Sequence, residues 1–167
     1  MKKSISVIAA SILFLLVPVL LSGQKALFDG TWNLDTSRVP VTGSFPVLNK
    51  IKISLRGDSL LTERFYSTGD GQIYPITENL TLDGKGYSAT VYDMERKTKA
   101  SWKEKGVTII HEATTTAYGA YGPVDYKSTE TWKVDSKGNI LTISFVNILR
   151  ETESTGIFIF NKATGTN

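Results

Sequence analysis

Turn-forming residues interrupt this chain about every 11 to 16 residues, and that spacing constrains its fold more than any other feature. Gly57-Asp58, Thr68-Gly69-Asp70-Gly71, Asp83-Gly84, Lys105-Gly106 and Ser136-Lys137-Gly138-Asn139 separate short runs rich in Thr, Val, Ile, Tyr, Phe and Trp. Runs of this composition between such punctuation read as strands. Parallel strands need crossover connections of a dozen or more residues, and there is no room for them, so consecutive strands are expected to pair antiparallel. The pattern predicts ten strands, at 30–35, 49–56, 59–66, 72–82, 86–92, 97–104, 107–117, 125–134, 139–148 and 152–161. Asp83-Gly84 reads as a tight two-residue hairpin, whose central positions take positive φ.

Alternation sharpens the reading. Ile51, Ile53 and Leu55 alternate with Lys50, Lys52 and Ser54, and Thr98, Ala100 and Trp102 alternate with Lys97, Lys99, Ser101 and Lys103. Period two with one wet face marks an antiparallel sheet that buries one side. Exposed edges invite aggregation, and a long meander removes them by closing on itself. The expected fold is therefore all-β, an antiparallel up-and-down β-barrel of eight to ten strands, with an open two-sheet sandwich as the rival. In the barrel, strand 30–35 pairs with strand 152–161, and Trp32 packs near one end against Lys162 or Arg150. The segments 78–85 and 130–138 echo one another, each a Glu followed by spaced apolar residues and an Asp-led turn, which is convergence on good hairpin sequence or an internal duplication.

The N-terminus reads as targeting. Lys2 and Lys3 precede an apolar run from Ile5 to Leu21, broken by Pro18 and followed by Ser22-Gly23. That order is a secretory signal peptide, with cleavage expected after Gly23; the rival is an uncleaved anchor. The domain is then residues 24–167, exported to the periplasm or secreted, with no stable membrane anchor after cleavage. Without Lys2 and Lys3 the formal charge falls from +3 to +1, which leaves no basic stripe for nucleic acid. With no Cys and one His, there is no disulfide framework, thiol nucleophile or multi-His metal centre. No phosphate-cradling Gly-Lys-Ser/Thr loop, Gly-x-Ser-x-Gly elbow or His-Glu-x-x-His motif is present. No metal, cofactor or catalytic residue is assigned, and a monomer is expected.

Candidate binding residues come from strand facing. Glu63 alternates with Leu61 and Phe65, Glu78 with Ile76, Leu80 and Leu82, and Glu130 with Tyr126, Trp132 and Val134. If the apolar residues point inward, so do the carboxylates, and each then needs a partner or a raised pKa. Glu63 and Glu78, on sequential strands, are expected to lie close together. Arg96 shares a face with Thr98, Ala100 and Trp102 and is the nearest counter-charge by facing. The functional reading is a polar patch in the lumen, formed by Glu63, Glu78, Arg96 and Glu130 with Trp102 and Tyr126, that holds the polar end of a ligand. The structural reading is a set of ion pairs with Arg64, Arg96 or Arg150. His111 follows Val107 and Ile109 on its face and is either inward or satisfied by a neighbouring carboxylate or hydroxyl. Tyr118 and Tyr121, on the Gly-rich stretch 118–123, suit a rim contact.

Gly30-Thr31-Trp32 near the start and Ile159-Phe160-Asn161-Lys162-Ala163 at the end resemble the calycin superfamily, the lipocalins and fatty-acid-binding proteins. With the segments around 80–85 and 132–143, the chain resembles small secreted bacterial lipocalin-like proteins over nearly all of residues 30–163. The resemblance implies a Gly-x-Trp packed on a basic side chain of the last strand, a ligand in the barrel and, in some ten-stranded relatives, haem held by one His. The lipocalin disulfide and Thr-Asp-Tyr motif are missing. The segment 36–48, with Pro40, Gly43 and Pro46, cannot form a helical lid, so an irregular loop is expected over the mouth. The leading expectation is an exported, non-catalytic protein holding a small apolar or amphipathic molecule. The alternatives are an envelope protein-interaction domain with a filled barrel, and a small barrel isomerase or cyclase.

Overall fold

A computed structural model describes residues 27–39 and 46–164. The expected signal segment 1–23, and much of the expected irregular loop at 36–48, lie outside the described residues. Ten strands follow in order: β1 (Gly30–Leu34), β2 (Val47–Arg56), β3 (Ser59–Ser67), β4 (Ile73–Thr81) and β5 (Asp83–Val91), then β6 (Met94–Glu104), β7 (Thr108–Gly119), β8 (Gly122–Val134), β9 (Ile140–Leu149) and β10 (Thr152–Lys162). They form one antiparallel sheet in the order β4-β3-β2-β1-β10-β9-β8-β7-β6-β5. The first strand pairs with the last, Trp32 opposite Lys162 and Leu34 opposite Phe160, so the sheet curls into a nearly closed up-and-down barrel and the sandwich is excluded.

The expected hairpin at Asp83-Gly84 does not form. Strands β4 and β5 are the two ends of the sheet and share no ladder, which leaves one seam in the barrel wall. The local turn chemistry is satisfied another way: Asp83 Oδ1 accepts from the Thr81 hydroxyl at 2.5 Å and from the Lys85 amide at 3.1 Å. Leu82 is then held between strand ends, donating its N–H to Asp58 O at 2.8 Å and accepting from Trp102 N–H at 3.3 Å. Side chains span the rest of the seam. The Thr81 and Tyr87 hydroxyls meet at 2.8 Å, and Tyr92 donates its O–H to Pro75 O at 2.7 Å. Pro75 fits here because an edge strand asks for no N–H on its open side.

One end of the barrel is sealed by large apolar side chains. Phe28, Trp32, Leu60, Trp132, Leu141 and Phe160 are all buried there. Lys162 lies 5.1 Å from the Trp32 ring centroid and donates to Leu27 O at 3.3 Å, while Trp32 Nε1 donates to Phe28 O at 2.9 Å. Arg150 plays no part: it sits in the β9–β10 turn with φ 47°. Gly30 is required at this end. Its φ is +134°, and a Cβ there would meet Lys162 Cε at 2.8 Å. At the other end, Tyr118 and Tyr121 stand exposed on the β7–β8 tip.

Candidate functional site

Five ionisable side chains converge inside the barrel, each delivered by a different strand. Glu78 comes from β4, Arg64 from β3, Arg96 from β6, His111 from β7 and Glu130 from β8, and all five are buried. Arg64 Nη2 donates to Glu130 Oε1 at 2.6 Å, and Arg96 Nε donates to Glu78 Oε1 at 2.9 Å. His111 links the two pairs. Its Nε2 lies 3.0 Å from Glu78 Oε2, and its Nδ1 lies 3.5 Å from Arg64 Nη1. A carboxylate only accepts, so Nε2 carries a proton toward Glu78, while Nδ1 faces both Arg64 and Glu130 Oε2, the latter at 3.7 Å. The His111 ring stacks on Trp132, centroids 5.5 Å apart, and Trp132 Nε1 donates to Glu130 Oε2 at 2.7 Å. Arg96 Nη1 finishes the set by donating to Thr115 Oγ1 at 2.8 Å.

The cluster pairs two guanidinium ions with two carboxylates around the His111 ring. Burial alone would raise the Glu78 pKa. The His111 hydrogen bond and the positive charges of Arg96 and Arg64 outweigh it and hold the group well below the usual carboxylate range. Glu130 is likewise lowered against its burial, by its charge interactions with Arg64 and His111 and by the bonds from Arg64 and Trp132. Burial opposes the charge of Arg64, yet the Glu130 carboxylate beside it keeps its pKa above the ordinary value.

The placement of the remaining expected residues is mixed. Glu63 points outward and forms an exposed ion pair with Lys52 at 2.7 Å, so it is neither in the lumen nor near Glu78. The inner face of β3 carries Leu60, Thr62 and Arg64, all buried, and it is Leu61 and Phe65 that accompany Glu63 outside. There Phe65 is covered by Lys50, 4.0 Å from its centroid. Trp102 lies at the sealed end, edge-on to Phe28 at 6.1 Å, away from the charges. Tyr126 shares the inner face of β8 with Glu130 but sits at the mouth, where burial pushes its pKa up to about 12. Arg64, His111 and Thr115 are the members that the facing argument did not assign to the site. For His111 the signal was present, a polar residue on an inward face beside Glu130 in the register, whereas Arg64 fell on the face of β3 that alternation reads as outward.

His111 is a strand histidine held by the Glu78 carboxylate and the Arg64 guanidinium. Both ring nitrogens are engaged, so a bond to haem iron would displace Glu78 or Arg64. Among the described residues no group of three or more His, Asp or Glu is arranged to hold a metal ion.

The register places a row of small side chains between the His111–Glu130 level and the next level mouthward, where Arg96, Thr115 and Tyr126 stand. His111, Glu130, Phe145 and Gly156 are successive cross-strand partners, and the next inward row toward the mouth is Thr98, Ala113, Ser128, Asn147 and Ser154. From Thr98 to Ser154 the row carries only small side chains, and at its β5 end Thr98 pairs with the half-buried Tyr87. Three buried polar atoms lack a hydrogen-bond partner among the described residues: Thr62 Oγ1, Arg64 Nε and Asn147 Oδ1. Two concavities lie outside the lumen. One of about 190 Å3 is at the sealed end, beside Phe28 and Gly106. One of about 720 Å3 lies between the β7–β8 and β9–β10 tips, beside Tyr121, Ile148 and Arg150. No family model, curated protein or solved structure matches the chain.

Proposed function

We propose that this is an exported, non-catalytic, lipocalin-like binding protein that admits a small amphipathic molecule through the mouth of the barrel. The observation that carries the reading is the change in inward side-chain size along the axis. Trp and Phe fill the sealed half, whereas the inward row just mouthward of His111 and Glu130 is Thr98, Ala113, Ser128, Asn147 and Ser154, bordered by Tyr87 and Arg96. A site for a small ligand is typically apolar-walled with a few fixed polar groups, and a sealed end, polar floor and tyrosine rim supply those parts. Catalysis has less support, because both carboxylates are committed to arginine partners and neither is poised to transfer a proton. The test is a fluorescence titration with the neutral probe N-phenyl-1-naphthylamine. Saturable enhancement that is lost on Ser128→Phe, with the fold intact, supports the reading; no saturable signal in the unaltered protein overturns it.

A second reading, a protein-interaction domain, is favoured by one observation. Val146, Ile148 and Ile157 are exposed on the outer face of the adjoining strands β9 and β10. Photo-cross-linking from position 157 in the intact host would capture the partner.

A further inference from the structure

Resting on the proposed lumen site, we infer that its ligand carries an uncharged, hydrogen-bonding polar end, an alcohol or amide rather than a carboxylate or an ammonium. The site borders the cluster of Arg64, Glu78, Arg96, His111 and Glu130, in which each guanidinium already meets a carboxylate in direct contact. An anionic head could gain an arginine only by displacing Glu78 or Glu130. It would also bring a third carboxylate beside Glu78 and Glu130, and like charges juxtaposed in a desolvated site repel strongly. A cationic head meets the mirror problem, since both carboxylates already have guanidinium partners and the added charge faces Arg64 and Arg96. A buried charge without its own counter-ion is strongly disfavoured.

A neutral head meets no such opposition. Asn147 Oδ1, one cross-strand position from Ser128, is a buried acceptor with no partner among the described residues. Thr62, fully buried beside Glu78 in the register, has an unpartnered hydroxyl as well. Leaving such groups unsatisfied is unfavourable, so a ligand hydroxyl or amide that satisfies even one is favoured over a purely apolar molecule. An alcohol or amide donates to the Asn147 carbonyl oxygen and accepts from Ser128, and it leaves every ion pair intact.

The experiment compares three probes with one tail and different heads: decan-1-ol, decanoate and decylammonium. Each displaces N-phenyl-1-naphthylamine from the full domain near pH 7, where both acid and amine are ionised. Decanol is expected to displace the probe at a concentration about tenfold lower than either ion, and Asn147→Leu is expected to erase most of that advantage. Decanoate or decylammonium binding as tightly as decanol overturns the inference and leaves the binding reading standing. A decanol advantage unchanged in Asn147→Leu overturns the assignment of the head to Asn147. Failure of the naphthylamine and all three probes to bind overturns both.

Discussion

Glu78 on β4 and Arg96 on β6 meet at 2.9 Å across the one place in the wall where neighbouring strands, β4 and β5, share no hydrogen-bonded ladder. The pair thus ties end strand β4 to β6, the neighbour of end strand β5, from inside, while Lys52 and Glu63, at 2.7 Å, merely decorate the outer face. Removing one partner of a buried pair leaves an uncompensated charge and costs about 3–5 kcal/mol, whereas exposed pairs are worth about 0–1 kcal/mol. Glu78→Gln should therefore lower the urea midpoint strongly, and Glu63→Gln should barely move it. Equal effects would show that the seam is not held by this contact.

Stability should depend on pH with a defined sign. The folded-state pKa values of Glu78 and Glu130 are lowered, so their contribution is present above the ordinary carboxylate value, about 4.3, and is lost as pH falls through the folded values. Tyr126 is pushed up to about 12, so its contribution is complete below about 10 and is lost as pH rises toward 12. Chemical denaturation across pH should give a plateau between these limits. A stability that rises on acidification below pH 4 would contradict the placement of the two glutamates.

The sealed end rests more on apolar burial than on charge. Trp32→Ala should cost about 3–5 kcal/mol, because a fully buried indole is lost. Lys162→Met keeps the chain over the ring and should cost only about 0.5–2 kcal/mol. Thermal melts of both variants check the order, and a larger loss for the lysine variant would reverse it.

Gly156 is a packing requirement. A Cβ there would come within 2.5 Å of the Phe145 ring, which cannot retreat freely because it stacks on Phe158 at 4.8 Å. Gly156→Ala should cost about 1–3 kcal/mol by overpacking, and adding Phe145→Leu should recover part of it. Additive losses in the double variant would mean that the two residues do not clash.

The strands, their antiparallel order, the β1–β10 closure and the inward facing of Glu78, Arg96 and Glu130 were legible in the sequence, because period-two patterning and turn residues are local signals. Two features were not. Around β3 the apolar residues Leu61 and Phe65 suggested the wrong face. What turns the strand the other way is Arg64, whose partner Glu130 lies 66 residues further along the chain. A pairing that distant leaves no trace in local alternation. Asp83-Gly84 carries good hairpin chemistry, yet here it builds a corner: Gly84 takes φ 82°, and the register shifts between Asp83 and Gly86 where β5 meets β6. Turn residues specify the bend, and whether the flanking strands pair depends on where the barrel closes.

Native mass spectrometry of the protein recovered from its own host tests ligand binding most directly. A population carrying one small molecule, released without fragmentation on collisional activation, is the expected result. A bare polypeptide mass in every charge state, from protein whose fold is intact, would contradict it.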